Sequence, residues 1–363
     1  MTCCKEAIKL YKYIISEVYD TNFTNRAGVH QDGVLAHARD VHGRVWAVLG
    51  HSNLGGISVW KGSSIDDLKK EYIAEYNFLL GKAGDAFDGV PYPDGPKSRG
   101  QIWPCGLWIS PDTDKFYCFI HNETGWGAQE TSYTVFGNQE GEPDYRHIGM
   151  MTSDDYGKHW DFQGWILTSN SPCWSNLYSA DMEIPGQGTE EVCLGCGDFS
   201  ICEDLFHRNL YLFYTQHVVL PDKRTEIRDN IFMARCLIEQ LDDTTKWKKY
   251  DGYDFNEEGN CGKDTIIVSG GAVPCVCWSE KLKTYIMTTY HRESWRNGTC
   301  TCQLSFSKDL ATWSKPELIS SERPDLSNPY FTIVSNEKND ASFDIYMESN
   351  GTDIKRFTLT VLQ

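Results

Sequence analysis

Hydrophobic and polar residues alternate along the chain in a unit that recurs five times. Each copy has an apolar stretch, a turn and a second strand that ends on a polar residue. The second strands read RVWAVLGHS, KFYCFIHNE, LYLFYTQHV, TYIMTTYHR and SFDIYMES. Alternation with a period of two indicates β-strands, and no segment has a convincing helical period. Repetition of such a unit predicts a β-propeller.

The repeat predicts an all-β chain, a single five-bladed propeller of four-stranded antiparallel blades over residues 1–363. The fifth copy stops one strand short. The segment AIKLYKYIISEVY near the N-terminus can supply the missing outer strand, which closes the ring and protects its edge. An amphipathic helix is the competing interpretation of that segment. The predicted blades cover about residues 28–80, 99–168, 192–252, 265–320 and 327–363, the last completed by 8–19.

Composition narrows the possible partners and the location. The net charge of −17 disfavours nucleic acid and anionic membranes as partners, because both would be repelled. Aromatic residues make up 13% of the chain, which suits packed sheets and a carbohydrate-binding cleft. The opening MTCCKEAIKLYKYIISE has no small-residue cleavage site, so we predict a cytoplasmic protein, while a secreted protein trimmed of its leader stays open. The fourteen cysteines are then predicted to be mostly buried thiols.

Four of the five second strands end at a histidine, namely His51, His121, His217 and His291. Equivalent positions on successive blades lie on the same face of a propeller, so the pattern predicts a shared polar pocket. Neutral imidazoles in such a pocket can bind sugar hydroxyls or a metal ion. For any one of these histidines, a hydrogen bond to a neighbouring blade is the alternative role.

Two short motifs resemble turns of carbohydrate-active propellers. SDDYGKHW at 153–160 resembles the sialidase Asp-box, and SKDLATW at 307–313 resembles a turn common in glycoside hydrolase families 32 and 43. Both place an Asp in a hairpin turn, followed by an aromatic residue that packs between blades. The resemblance implies structural roles for Asp155 and Asp309.

The starts of the innermost strands are similar to those of the five-bladed furanosidase superfamily, which includes families 43 and 32. HQDG at 30–33 precedes the first-blade hairpin, and GDFS at 197–200 precedes the third. The resemblance implies Asp32 as general base or nucleophile and Asp198 as the residue that positions substrate or tunes pKa values. A cap on the Gly33 turn and the end of a loop are the structural alternatives for the two carboxylates.

The fourth blade departs from the family, because GGAVP at 270–274 has no Glu where the general acid would stand. Glu123, flanked by His121 and Trp126, is the preferred replacement, in surroundings able to raise a carboxyl pKa. Glu293 and the 169–190 loop are the alternatives. The predicted substrate-binding residues are His30, His51, Trp103, His121, His217, His291 and Trp295.

Glycoside hydrolysis is the function that these residues favour. Asp32 would activate water or attack the anomeric carbon, Glu123 would protonate the leaving oxygen, and Asp198 would hold a hydroxyl. No cofactor is predicted. The rival is a metal-dependent carbohydrate hydrolase, such as a deacetylase with a divalent ion held by His30, Asp32 and the histidines. A non-catalytic glycan-binding propeller is the third possibility.

Overall fold

Five sheets, each built on antiparallel strands, follow one another along the chain, one for each copy of the repeated unit. The computed structural model describes residues 12–24, 33–52, 56–76, 90–93, 98, 100–123, 145–170, 192–193, 195–220, 223–292, 300–319, 330–336, 341–349 and 353–362. Among these residues helix is limited to the short 3₁₀ turns Ile65–Asp67, Ile238–Gln240 and Thr244–Lys246. None of the described helices is long and apolar enough to span a bilayer. The predicted five-bladed all-β fold is confirmed.

The N-terminal segment and the first two blades contain the following strands. The segment contributes β1 (Lys12–Ile15) and β2 (Tyr19–Thr24). Blade 1 contains β3 (Ala36–Arg39), β4 (Val45–His51), β5 (Gly56–Gly62) and β6 (Lys69–Ile73). Next come β7 (Glu75–Tyr76) and the blade 2 strands β8 (Gln101–Ile109), β9 (Phe116–Glu123), β10 (Arg146–Ser153) and β11 (His159–Leu167). The short strand β7 leaves blade 1 and pairs in parallel with β11, so it ties two blades together.

The last three blades continue the pattern. Blade 3 contains β12 (Val192–Cys193), β13 (Gly197–Glu203), β14 (Asn209–Leu220), β15 (Lys223–Leu237), β16 (Lys248–Tyr250), β17 (Phe255–Glu258) and β18 (Val268–Ser269). Blade 4 contains β19 (Ala272–Ser279), β20 (Thr284–Arg292), β21 (Cys300–Ser307) and β22 (Glu317–Leu318). Blade 5 contains β23 (Phe331–Ser335), β24 (Ser342–Ser349) and β25 (Asp353–Leu362).

The N-terminal segment completes blade 5. Strand β1 pairs antiparallel with β25, with Lys12 opposite Leu362 and Ile15 opposite Leu359. Strand β2 continues along β25, with Tyr19 opposite Arg356. The outer edge of the last blade is therefore paired with the N-terminal segment, as predicted, and the competing helix is excluded for the part of that segment that the structure describes.

Apolar side chains join the blades to one another. The largest buried cluster includes residues from the start of blade 1 and from each of the other blades: Val34, Phe119, Phe199, Ile286 and Phe357. Aromatic pairs cross the blade interfaces with ring centroids 5.3, 5.6 and 5.9 Å apart: Trp46–Phe116, Phe119–Trp247 and Phe213–Trp313. Each such pair adds roughly 0.5–1.5 kcal/mol beyond the area that it buries.

The two Asp turns have the structural role that the motifs predict. The backbone N–H of His159 donates to Asp155 Oδ1 at 2.9 Å, and that of Thr312 donates to Asp309 Oδ1 at 2.7 Å. Trp160, which closes the first turn, is 1% exposed in the cluster shared by blades 1 and 2. Both turns follow the third strand of a blade, so they lie at the face where innermost strands end.

The described cysteines carry free thiols. Eleven of the chain's cysteines are described, and none of these is in a disulfide. Burial is the largest cause of the raised pKa of Cys275, which reaches about 11, and of the pKa of Cys277, which is also raised. These residues therefore act as small apolar side chains, in line with the predicted thiols, while the cytoplasmic location stays a prediction.

Candidate active site

The site lies at the face where innermost strands begin and second strands end, which we call the site face. Strand β9 ends there with His121, Asn122 and Glu123. Because alternate residues of a strand share a side, His121 and Glu123 lie together and Asn122 points the other way. The Asn122 amide donates to the Gln101 carbonyl oxygen at 2.9 Å, and its oxygen accepts a bond of 2.7 Å from the Tyr92 hydroxyl. These bonds fix the strand end that carries the site.

Glu123 is held by two nitrogen donors at one carboxylate oxygen. Arg146 is directly opposite Glu123 in the β9–β10 register, and its Nε donates to Glu123 Oε1 at 2.8 Å. His121 Nε2 lies 3.1 Å from the same oxygen. The exposed fractions of Arg146 and Glu123 are 3% and 7%. A charge-assisted pair at this depth is strong because little water screens it.

The carboxyl of Glu123 is ionised. Burial raises its pKa, but the Arg146 charge and the His121 hydrogen bond outweigh burial and lower the pKa to about 2. The sequence predicts surroundings that raise this pKa, so that Glu123 can act as general acid. The predicted direction of the shift is wrong, because Arg146 lies opposite Glu123 on the neighbouring strand. A carboxylate with this pKa accepts hydrogen bonds and does not donate a proton at neutral pH.

Asp198 approaches His121 from blade 3. The backbone N–H of Asp198 donates to His121 Nδ1 at 2.7 Å, and the Asp198 carboxylate oxygen Oδ1 lies 3.7 Å from the same nitrogen. Since Nδ1 accepts a hydrogen bond, the neutral ring carries its proton on Nε2 and donates it to Glu123. The structure thus brings together two of the three predicted catalytic carboxylates, from different blades, around one imidazole ring.

The backbone at Asp198 has an unusual shape. Asp198 is the extra residue of a β-bulge between Gly197 and Phe199, with φ of +43° in the left-handed region. That region costs a non-glycine residue about 1–2 kcal/mol. A Cβ on Gly197 would stand 2.5 Å from His121 Cε1, so only glycine lets the two strands approach this closely. Strained backbone of this kind clusters at functional sites.

His51 and Trp103 form the wall behind His121. The Trp103 ring meets the His51 ring edge-on with centroids 4.4 Å apart, and its centroid lies 5.4 Å from that of His121. The exposed fractions of His51 and Trp103 are 0% and 2%. The described geometry leaves neither ring face accessible to a sugar, and the predicted contacts of Trp103 and His51 with substrate stay predictions. Both side chains pack the wall.

The four strand-end histidines do not all share one position. In blades 2, 3 and 4 a bulge follows the pairs Pro104–Ile120, Gly197–Thr215 and Ala272–Tyr290. The next residues on the second strands are therefore His121, Gln216 and His291. In the backbone register His217 falls one position later than these residues. The prediction of four equivalent histidines is wrong at His217.

Several predicted residues lie outside the described part of the chain. They are His30, Asp32, Glu293, Trp295 and the 169–190 loop beyond Asn170, and their predicted roles stay predictions. His291 is described and is partly buried. Within the described ranges, no three His, Cys, Asp or Glu side chains converge to hold a metal ion.

The residue that sequence reasoning missed is Arg146. It begins the third strand of blade 2, after the long connection that separates this strand from β9. Its only sequence signal is a basic residue at the start of a predicted strand. The register that sets it opposite Glu123 is what makes it part of the site.

Comparison with known proteins supports the fold. No protein-family model matches the sequence, and no curated protein does. A thermostable family-43 glycoside hydrolase is similar in structure, with 11% identity, a TM-score of 0.53 and coverage of 95% of this chain and 96% of that chain. A family-43 β-1,3-galactosidase with galactodeoxynojirimycin has 12% identity, a TM-score of 0.50 and coverage of 94% and 95%.

A third similar structure is the exo-β-1,3-galactanase of Phanerochaete chrysosporium with β-1,3-galactotriose. It has 12% identity and a TM-score of 0.51, over 96% of this chain and 65% of that chain. At these identities the likeness shows a shared fold. The predicted resemblance to the family-43 fold is confirmed.

Proposed function

We propose that the chain is a glycoside hydrolase that acts on an oligosaccharide or glycoconjugate at the site face. The observation that carries the proposal is the convergence of Glu123 and Asp198, from two blades, on opposite nitrogens of His121. Glu123 Oε1 lies 3.1 Å from His121 Nε2, and Asp198 Oδ1 lies 3.7 Å from His121 Nδ1, so two carboxylates are available to bind sugar hydroxyls at one place. The family-43 fold of the similar structures supports the same reaction class.

The proposed roles follow from the charges. Glu123, ionised and held at Oε1 by Arg146 and His121, would accept a hydrogen bond from a sugar hydroxyl. Asp198 would bind a second hydroxyl and stabilise positive charge that develops at the anomeric carbon. Asp32 keeps its predicted role as base or nucleophile. The general acid is then to be sought at Glu293 or on the 169–190 loop.

A screen of chromogenic glycosides and acetylated sugars, with and without chelator, tests this function. We expect release of the chromophore from at least one glycoside, unchanged by chelator. Asp198→Asn should then lower kcat/KM by roughly 10²- to 10³-fold, as the loss of one group that stabilises charge in the transition state does. The matched control is Asp155→Asn, which removes a carboxylate from the opposite face and should keep kcat/KM close to the wild-type value.

The other outcomes identify the alternatives. Deacetylation that chelator abolishes and added metal restores would contradict the proposal in favour of the metal-dependent hydrolase. Glycan binding without turnover of any substrate would favour the non-catalytic propeller. Full activity of Asp198→Asn on an identified glycoside would remove Asp198 from the proposed mechanism.

A further inference from the structure

Thr215 lies between two backbone segments with left-handed residues, one on each of two blades. Its hydroxyl accepts a hydrogen bond of 2.9 Å from the Val273 N–H in blade 4 and donates one of 3.0 Å to the Asp198 carbonyl oxygen in blade 3. The φ angles of Asp198 and Val273 are +43° and +51°. A β-branched residue such as valine adopts this conformation only when its surroundings enforce it.

The direction of each hydrogen bond is fixed by chemistry. A hydroxyl has one proton, and the Val273 N–H can only donate, so the Thr215 proton goes to the Asp198 carbonyl oxygen. Asp198 in turn donates its N–H to His121 Nδ1 at 2.7 Å. His121 then donates Nε2–H to Glu123 Oε1 at 3.1 Å. These bonds form a chain from blade 4 through blade 3 to the buried carboxylate in blade 2.

Thr215 is fully buried, so water cannot readily take over the hydrogen bonds of its hydroxyl. Its exposed fraction is 0%, as is that of the neighbouring Tyr214. A variant without the hydroxyl would leave the Val273 N–H and the Asp198 carbonyl oxygen without this partner in the interior. Loss of these bonds in the interior is costly, so the two strained residues would be expected to shift.

We propose that Thr215 is a positioning residue: it holds the Asp198 peptide so that its N–H fixes the Nε2–H tautomer of His121. In this tautomer the Nε2–H of His121 points at Glu123 Oε1, which accepts the hydrogen bond. The bond from the Asp198 N–H to Nδ1 keeps the Asp198 carboxylate near the ring. The part of this proposal that concerns catalysis rests on the proposed function. The part that concerns the tautomer does not.

Three variants separate positioning from packing. Thr215→Val keeps the shape of the side chain and removes the hydroxyl, and Thr215→Ser restores the hydroxyl. Thr288→Val is the matched control, because Thr288 is also 0% exposed and donates to a backbone carbonyl oxygen of the next blade, that of Phe331, at 2.9 Å. Thr288 has no bond to Asp198 or His121 among its described contacts. Loss of its hydroxyl therefore reports the effect on packing and stability alone.

Nitrogen-15 NMR of histidine-labelled protein reports which ring nitrogen carries the proton. His121→Gln identifies the His121 signals by their disappearance. We expect the Nε2–H form in the wild type, Thr215→Ser and Thr288→Val, and a mixture of tautomers in Thr215→Val. A wild-type pattern in folded Thr215→Val would overturn the proposal.

A measurement on the unaltered protein covers the case in which Thr215→Val does not fold. The N–H···N bond from Asp198 to His121 should give a scalar coupling between the Asp198 amide nitrogen and His121 Nδ1. Observation of the coupling in the wild type supports the chain of bonds, and its absence overturns the proposal.

Turnover of a glycoside found in the screen tests the catalytic part. We expect kcat of Thr215→Val to fall roughly 10- to 100-fold, as small misplacements of catalytic groups do, with KM nearly unchanged. Thr215→Ser should recover most of kcat, and Thr288→Val should resemble the wild type. Equal kcat in Thr215→Val and Thr288→Val would overturn catalytic positioning. If no glycoside is cleaved, the proposed function fails while the NMR result still decides the tautomer.

Discussion

Two histidine–carboxylate pairs in this molecule share their chemistry and differ in their surroundings. His121 lies 3.1 Å from Glu123 at the site face, and His159 lies 2.5 Å from Asp155 in the Asp-box turn on the opposite face. The pKa of each carboxyl is lowered to about 2. A lowered carboxyl pKa is therefore not by itself a mark of an active site.

The causes of the two lowered pKa values separate the pairs. Burial works to raise the pKa of Glu123, and the charge of buried Arg146 overcomes it. At Asp155 burial also raises the pKa, but hydrogen bonds from His159 and Ser153 lower it, and the side chain is 45% exposed. The first pair also contacts a second carboxylate on strained backbone, that of Asp198. A buried ion pair next to strained backbone therefore distinguishes the candidate site, whereas a lowered carboxyl pKa does not.

The largest expected effect comes from removing the group that lowers the pKa of each carboxyl most, which is Arg146 for Glu123 and His159 for Asp155. Arg146→Met should lower the free energy of unfolding by about 3–5 kcal/mol, because it leaves the Glu123 carboxylate buried without its charged partner. His159→Gln, at the exposed pair, should leave the free energy of unfolding close to that of the wild type. Urea unfolding at neutral pH measures both. Equal losses in the two variants would show that burial does not separate the pairs.

The pH dependence of stability sharpens the comparison. The folded pKa of Glu123, about 2, lies below its ordinary value of 4.5. Its contribution to stability is thus complete above about pH 4.5 and is lost as the pH falls toward 2. The difference between the folded and the ordinary pKa of Glu123 corresponds to about 3 kcal/mol of stability. Glu123→Gln should lose part of this dependence, so its free energy of unfolding should fall less steeply than that of the wild type between about pH 5 and 3.

Asp155→Asn is the control for that experiment. Because the Asp155 side chain is largely exposed, solvent screens its charge, and added salt should weaken its contribution more than that of Glu123. The interpretation of Glu123 as a buried, ionised acceptor fails if Glu123→Gln and the wild type lose stability in parallel as the pH falls.

A substitution that adds one methyl group tests the close approach at the site. Gly197→Ala places a Cβ 2.5 Å from His121 Cε1, and overpacking of this kind costs roughly 1–3 kcal/mol. Gly43→Ala, at φ of +78° with no atom within 4 Å of the added Cβ, should cost only the left-handed strain of about 1 kcal/mol.

Thermal or urea unfolding gives the stabilities of the two glycine variants, and histidine NMR reports their effect on the site. The His121 signals should shift in Gly197→Ala and stay unchanged in Gly43→Ala. Unchanged His121 signals in folded Gly197→Ala would contradict the close contact between β13 and the imidazole ring.

The fold could be predicted because its evidence is local. Alternation with a period of two and turns at regular points appear in each copy of the repeat, and the missing strand of blade 5 pointed to the N-terminal segment that pairs with β25. The pairing of β7 with blade 2 was not predicted, since two residues in a strand between blades leave no periodic signal.

The site could be predicted only in part, because its chemistry depends on register. His121 and Glu123 share a side of one strand, which their spacing indicates, and Asp198 begins a predicted strand. The sign of the Glu123 pKa shift depends on Arg146, whose partner is set by pairing across a long connection. The error at His217 also depends on register. The bulge in β13 sets Gly197 opposite Thr215, so Gln216 and not His217 takes the position equivalent to His121.

The smallest expected effect concerns the exposed pair. The hydrogen bond to Asp155 is the largest cause of the raised pKa of His159. A raised pKa means that the pair's contribution is complete below the ordinary histidine value of 6.5 and is lost as the pH rises through the folded pKa. NMR titration of His159 should give a pKa that moves back toward its ordinary value in Asp155→Asn or at high salt, because exposed charges are screened. The same changes should leave the His121 signals at neutral pH untouched. A response of both histidines to Asp155→Asn would mean that the two faces are coupled, and the contrast drawn between the pairs would then have to be abandoned.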